Sequence, residues 1–298
     1  MRIAVTGGSG FVGRHLLSEL LSHGHEIIAL SRRSADVLPQ VAGLHWLKGE
    51  LGNQHDAREL VETAEVVIHA ALSRQGPSFL SVPQDPLAYW HENATGSLQL
   101  LEAARRSSAS RFIFLSSGAV HDQVVAPLNE EHPLRPSTLY GACKASVETL
   151  IHAFGRGDDL VTTTLRPTVV YGESDPLECS RWFSLVEQVL SGGKVTATGG
   201  AKSVHASDVA KAVTVLLHAD APAIDGETFN CCDRMISDFE VAALAKSLCH
   251  SDAELDGQPK QAKHEIDTAK LRDLGMQFGG DELLQRTVQS FIDHLRAH

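Results

Sequence analysis

The stretch that most constrains this chain is RIAVTGGSGFVGRHLLSELLSHG, Arg2 to Gly24. Arg2 to Thr6 is a short β-branched run, the pattern of a strand. Phe11, Leu16, Leu17, Leu20 and Leu21 then recur at helical spacing until Gly24 closes the helix. The glycine turn between them fits two frames: Gly8, Gly10 and Gly13 as G-x-G-x-x-G, or Gly7, Gly10 and Gly13 as G-x-x-G-x-x-G. Glycines at such a turn let the backbone close on a pyrophosphate, whose charge then sits at the helix N-terminus. A tight turn with no ligand has no need of so many. The expectation is a dinucleotide site contacted by Gly7, Gly10, Phe11, Val12 and Gly13.

The same alternation continues down the chain. Apolar runs at 26–31, 43–49, from 65 and at 111–117 read as strands, and LVTTTLRP, ended by Pro167, reads as a sixth. Helical patterns fall at about 56–63, about 87–106 and from Leu139 to about Phe154. Strands alternating with helices mean a parallel sheet with helices on both faces, and unbroken apolar runs suit strands buried on both sides. The expected fold is α/β, a Rossmann-type doubly wound parallel sheet. After Pro167 the pattern loosens, with helices expected at 181–191, 207–218, 238–249 and 281–296. The expected division is therefore a dinucleotide-binding domain over 1–167 and a smaller substrate-binding lobe over 168–298, interleaved with the last elements of the main sheet.

Charge narrows the partners. A formal net charge of −11 over 298 residues argues against nucleic acid or an anionic membrane, both of which need clustered Lys and Arg. The longest basic runs are the pairs Arg32-Arg33 and Arg105-Arg106. No apolar stretch approaches the ~20 residues of a membrane span. Met1-Arg2 runs straight into the first strand, without the pattern of a signal peptide. Five scattered cysteines suit reduced thiols, so a cytoplasmic setting is expected. The sixteen histidines show no H-E-x-x-H or paired-Cys spacing, and no metal is expected. The expected partner is a small-molecule substrate.

The second strand ends in LSRRSAD, Leu30 to Asp36. An acidic residue there would accept hydrogen bonds from the ribose 2′-OH of NAD. Ser31, Arg32 and Arg33 offer donors and positive charge instead, which suits the 2′-phosphate of NADP. NADP is thus the expected cofactor and NAD the alternative. Further on, LYGACK places Tyr140 and Lys144 at i and i+4, on one helix face. Alone that pair decides nothing, since both residues are common on helices.

Together these motifs resemble the extended short-chain dehydrogenase/reductases, specifically the NAD-dependent epimerase/dehydratase family. VTGGSGFVGRHL is similar to the family's opening motif, and VVIHAAL to its fourth-strand motif, with His69, Ala70 and Ala71 beside the cofactor. ENATGSLQLLEAA is similar to the helix whose Asn, here Asn93, helps order a proton relay. FLSSGAVH resembles the serine motif S-S-x-x-V-Y-G, and counting back from Val120 puts the catalytic hydroxyl on Ser117. YGACK supplies Tyr140 and Lys144. LRPTVVYG and VHASDVAKA resemble two later landmarks, the first bringing Pro167 and Val169 toward the cofactor. Glu50, with Leu51 beside it, stands where the family often carries Asp near the adenine.

The resemblance implies hydride transfer to or from a nicotinamide, with Ser117, Tyr140 and Lys144 as the working groups. A Tyr with a pKa near ~10 is a poor base at neutral pH. A Lys ammonium one turn away, together with the positive nicotinamide, favours the phenolate, which can exchange a proton with a substrate alcohol or ketone. Ser117 would hold the same oxygen, and Lys144 would also bind the nicotinamide ribose. A homodimer through the helix bearing Tyr140 is the family expectation.

Departures from the family pattern narrow the reaction. Gly118 and Ala119 stand where its 4,6-dehydratases carry Asp-Glu, and neither can move a proton, so dehydration is not expected. His121 replaces the usual Tyr and is a candidate substrate contact. Val169 replaces an Asn that meets nucleotide phosphates, and Ala201, with Lys202 beside it, replaces an Arg. Arg166, Arg181 and Lys202 are left to meet an anion. The leading expectation is an NAD(P)-dependent oxidoreductase acting on a small carbonyl or alcohol. A nucleotide-sugar epimerase or 4-keto reductase is the second. The third is a non-catalytic cofactor-binding regulator, against which the intact Ser117, Tyr140 and Lys144 count.

Overall fold

Strand β1 (Arg2–Thr6) runs along the middle of a seven-stranded sheet and passes directly into α1 (Phe11–Ser22). The computed structural model describes residues 1–74, 81–121, 126, 128–155 and 159–297. After α1 come β2 (Glu26–Ser31), β3 (Leu44–Lys48), α2 (Gln54–Val61) and β4 (Val66–His69). Helix α3 (Pro86–Trp90), a π turn at His91–Thr95 and α4 (Gly96–Arg105) follow one another without a break and lead to β5 (Arg111–Leu115). Helix α5 (Leu139–Phe154) and β6 (Val161–Pro167) complete the pattern expected from sequence. β5 stops two residues short of expectation because Ser117 caps a 3-10 turn, its hydroxyl accepting the Ala119 N–H at 3.2 Å.

All pairs in the main sheet are parallel, in the order β10-β6-β5-β4-β1-β2-β3. The sheet grows one way from β1 through β2 and β3, then the other way from β4. That reversal opens a crevice at the carboxyl ends of β1 and β4, where an α/β sheet of this kind takes its ligand. Alternation along β1 explains why both faces are apolar. Ile3 and Val5 share a core with Leu16, Leu17 and Leu20 of α1, while Ala4 points to the opposite core with Leu60, Leu100, Leu101 and Ile151. Each such leucine, fully buried, contributes roughly 1.5–3 kcal/mol.

Beyond β6 the chain forms β7 (Val169–Tyr171), α6 (Phe183–Ser191), β8 (Lys194–Ala197), β9 (Gly200–His205), α7 (Ala206–His218) and α8 (Ala221–Ile224). Then come β10 (Glu227–Cys231), β11 (Arg234–Ser237), α9 (Asp238–Cys249), β12 (Glu254–Gly257), α10 (Ala269–Asp273) and α11 (Gly280–Ala297). β10 returns to the main sheet beside β6, and α7 lays Val209, Val213 and Leu216 into the α1 core. The remainder builds a separate apolar cluster around Tyr171, Trp182, Phe183, Val186 and Phe291, with small sheets β11-β9-β7 and β12-β8. Helix α6 begins at Phe183 and not at Arg181, because Trp182 adopts a left-handed conformation with φ 69°. Among the described residues, no helix is long and apolar enough to cross a membrane.

Candidate active site

A cavity of about 1400 Å³ lies along the crevice. Its inner end is made of backbone. Gly7 has φ +77°, and a Cβ there would stand 2.6 Å from the Ala70 carbonyl carbon. A Cβ on Gly13 would lie 2.0 Å from the Gly7 oxygen. Gly8 instead packs on Leu17 and is off the wall. The working frame is therefore Gly7, Gly10 and Gly13. Gly10 caps α1 without a side-chain acceptor, so the helix's first amides are left for a ligand. Phe11 and Val12 line the cavity with them.

Ser31, Arg32, Glu50, Leu51, Ala70 and Ala71 also line it. Arg33 does not: its side chain is exposed, and only its backbone N–H takes part, donating to Ser31 Oγ at 3.1 Å. His69, expected beside the cofactor, lies beneath the wall. It is fully buried, with Nδ1 2.6 Å from Thr6 Oγ1 and Nε2 2.7 Å from Ser97 Oγ. Burial, with help from the Lys144 charge, pulls its pKa down to about 3, so it is a neutral strut.

Ser117, Tyr140 and Lys144 meet at the cavity's centre. Thr138 caps α5 by accepting the Gly141 N–H at 3.1 Å. Gly141 packs on the Ala119 carbonyl so closely that a Cβ would come within 2.3 Å, and this holds the Tyr140 turn against the Ser117 turn. The two side chains hydrogen-bond. Burial raises the Tyr140 pKa, and the Ser117 bond offsets part of the rise. With the protein's own groups alone, Lys144 is not among the influences on it. The Lys144 ammonium donates to the Leu115 carbonyl at 2.7 Å and lies 4.7 Å over the Phe114 ring. Its own pKa is pulled down to about 8 by burial, against the opposing influence of Glu148 and then Cys143.

Asn93 is also placed differently from expectation. It is buried in the π turn, and its side chain accepts the Ser73 N–H at 2.8 Å and donates to Ser73 O at 3.0 Å and Tyr89 O at 2.9 Å. It is off the cavity wall and holds Ser73, which is on it. Asn93 therefore positions the chain after β4.

The outer half of the cavity is made of side chains. Pro167, Val169, His121, Ala201 and Lys202 line it, as do Asn230 and Met235. His121 Nδ1 lies 3.2 Å from Pro133 O, and its ring packs on His132 at 4.8 Å. Burial first, then the Arg166 charge, pull its pKa down to about 4, so it is neutral at pH 7. Arg166 lines the wall but is held by a buried, bidentate ion pair with Glu148. Arg181 is away from the cavity, its guanidinium 4.8 Å over the Trp182 ring. Sequence reasoning missed Lys260, Lys263 and His264, which close the outer wall. QPKQAKHEI carries two lysines and a histidine in an aperiodic stretch, yet no local pattern says which way it faces.

The residues fit a dinucleotide. The glycine frame lets the loop pack against Ala70 and against itself, which brings its backbone to the cavity wall. Ser116 Oγ is buried on the wall with no hydrogen-bond partner among the described residues. A profile of the NAD dependent epimerase/dehydratase family matches residues 3–232. The chain belongs to this family. Membership accounts for the strand order and for the glycine frame after β1.

Individual relatives agree. A UDP-glucose 4-epimerase of Corynebacterium glutamicum is 32% identical over 171 residues, 56% of this chain. A 4-hydroxy-2-methyl-3-oxo-4-farnesyl-3,4-dihydroquinoline-1-oxide ketoreductase of Stigmatella aurantiaca is 32% identical over 180 residues, 59% of this chain. The matches span about half of each relative's own length, 50% and 52%. The crystal structure of UDP-glucose 4-epimerase with UDP-glucose from Thermotoga maritima superposes with a TM-score of 0.81 at 27% identity, covering 99% of this chain and 100% of that one.

Proposed function

We propose that this protein is a nucleotide-sugar epimerase that works by reversible oxidation at a carbinol carbon, with Ser117, Tyr140 and Lys144 as its working groups. The observation that carries the reading is that Lys202, Lys260 and Lys263 line the same cavity as Ser117 and Tyr140. A diphosphate entering a cleft loses water and needs charged donors in exchange. The sequence expectation put a small carbonyl substrate first because Val169 and Ala201 had replaced phosphate ligands. Lys260 and Lys263, on the strap at 258–267, would supply what those positions lost. The relative with UDP-glucose bound supports the same class.

Gly7, Gly10, Gly13 and the start of α1 would hold the pyrophosphate of NAD(P), and Lys144 would bind the nicotinamide ribose. When bound, the nicotinamide supplies the hydride donor and acceptor and, oxidised, a positive charge. Tyr140, its pKa raised by burial, keeps its proton at neutral pH and is set to donate to a ketone oxygen. Ser117 hydrogen-bonds the same oxygen and fixes its position. Added positive charge lowers the Tyr140 pKa and lets it take the proton back. Preference for NADPH over NADH rests on Arg32 alone, since Arg33 is off the wall. We read residues 1–167 as the cofactor-holding part and 168–298 as the part that covers the substrate, with β10 returned to the first. A homodimer through α5 is supported by Leu87, Trp90 and Leu98, exposed large side chains on the adjoining helices.

The second reading, reduction of a small ketone, is favoured by the apolar wall at Val169, which is 40% exposed. The test is calorimetry and turnover with UDP-glucose in the presence of cofactor. Micromolar binding and formation of an epimeric sugar support the proposal. Reduction of small ketones with no binding of any UDP-, GDP- or dTDP-sugar would sink it.

A further inference from the structure

Tyr140, Lys144 and Glu148 stand at i, i+4 and i+8, on one face of α5. Tyr140 and Lys144 are on the cavity wall; Glu148 lies behind them, its side chain only 3% exposed. Arg166 of β6, 5% exposed, grips it with Nε 3.0 Å from both carboxylate oxygens and Nη2 2.6 Å from Oε2. The same guanidinium donates through Nη1 to the Glu130 carbonyl at 3.2 Å. Glu130 in turn accepts the Asn230 N–H at 2.8 Å, and Asn230 Nδ2 donates to Asp267 O at 3.1 Å. The Asp267 N–H donates to Leu128 O at 2.9 Å, beside the bridge between Leu128 and Ile266. Asp267 and Ile266 are where the strap bearing Lys260 and Lys263 is anchored.

A lone buried ion pair of this kind is weak grounds for stability, because desolvation cancels most of the attraction. Its position suggests another task. One end touches the helix that carries the acid/base pair, and the other end touches the chain that covers the substrate. We propose that Glu148, clamped by Arg166, is a positioning residue that fixes the face of α5 bearing Tyr140 and Lys144 and ties the strap at 258–267 to it. This rests on the reading of Lys144 as a cofactor-binding group.

Electrostatics agree with the geometry. Facing Lys144 are Glu148, Cys143 and Tyr140 on α5, His69 on β4, and the Phe114 ring and Leu115 carbonyl on β5; Arg166 on β6 stands behind Glu148. Glu148 is the largest influence that keeps the proton on Lys144 against burial. Removing its charge therefore lets Lys144 deprotonate at lower pH.

The experiment compares the full chain with Glu148→Gln and with the neutral pair Glu148→Met/Arg166→Met, which leaves no unpaired buried charge and guards against loss of folding. Cofactor affinity is measured by NADH and NADPH fluorescence from pH 6 to 10. In the wild type the affinity is expected to decline above about pH 8, as Lys144 loses its proton. In both variants that decline is expected about one unit lower. Hydrogen exchange is read at the Asn230 and Asp267 amides, which are expected to exchange about tenfold faster or more in both variants. A decline and exchange rates unchanged in the neutral pair overturn the inference, whichever substrate is turned over. A wild type that binds neither cofactor overturns the functional reading instead, while the exchange arm still judges the tie between strap and helix.

Discussion

The inner and outer halves of the cavity are built on different terms. The inner half is backbone from short local stretches at the carboxyl ends of neighbouring strands, Thr6–Gly13, Leu30–Arg32 and Ala70–Ser73. The outer half is side chains from β7, β9, β11 and the strap at 258–266, which meet only after the chain has folded back on itself. A backbone cradle is set by steric exclusion and tolerates no added atoms. A side-chain wall is set by charge and shape, and can change ligand without changing fold.

The seam between the halves gives the largest expected effect. Tyr140→Phe should lower turnover by ~10²–10⁴ while leaving cofactor affinity nearly intact, because the ring still packs and only the proton carrier is lost. Steady-state kinetics beside a fluorescence titration check it. The inner half is broken most sharply at Gly13→Ala, whose methyl meets the Gly7 oxygen 2.0 Å away. The turn must shift, at a cost of about 3 kcal/mol, so cofactor affinity should fall roughly a hundredfold with substrate residues untouched. Calorimetry with NADPH reads this, and affinity within a factor of two of wild type would refute the cradle.

The outer half should answer differently. Lys260→Ala/Lys263→Ala removes charge without touching backbone, and is expected to weaken binding of UDP-glucose by about 10- to 100-fold, with cofactor affinity unchanged. Equal losses for both ligands would erase the distinction between the halves. Arg32→Ala, a side chain at the edge of the backbone half, should cost NADPH about tenfold and NADH little. Equal affinities in wild type and variant would remove the case for NADP. The last effect is on stability and not on ligand binding, and concerns His69, under the inner half. Its folded pKa of about 3 lies below the ordinary value of 6.5, because burial disfavours the charged ring. Its contribution to stability is therefore present above about pH 6.5 and lost as pH falls toward 3. Thermal melts across that window should show a shallower acid loss in His69→Gln than in wild type.

How far the residues could be read beforehand follows the same division. Gly7, Gly10, Gly13, Ala70 and Ala71 were assigned to a cofactor from contiguous motifs, and they line the cavity. Tyr140 and Lys144 were paired by helical spacing, and Ser117 was placed by counting within one motif. Arg33 and His69 also sit in contiguous motifs, yet they face away, because strand alternation and the turn after β2 decide direction one residue at a time. Arg181 was assigned on charge alone and proved to stack on Trp182. Lys260 and Lys263 were overlooked since neither periodicity nor a motif marks them. The strands after Pro167 were not assigned one by one; most run three to five residues, too short for a period to show.

The sequence by itself determined the parallel sheet and the glycine turn. Apolar runs, helical periodicity and the absence of Cβ atoms act within a few residues of each other, so their consequences are local. Only the tertiary structure decided that Lys144 engages the Leu115 carbonyl, that burial raises the Tyr140 pKa, that Glu148 and Arg166 pair behind them, and that a lysine-bearing strap closes the cavity. These depend on desolvation and on contacts between distant segments, as in Glu148 to Arg166 and Leu128 to Asp267. Such contacts exist only once the core has excluded water, and nothing in the order of residues along the chain encodes them locally.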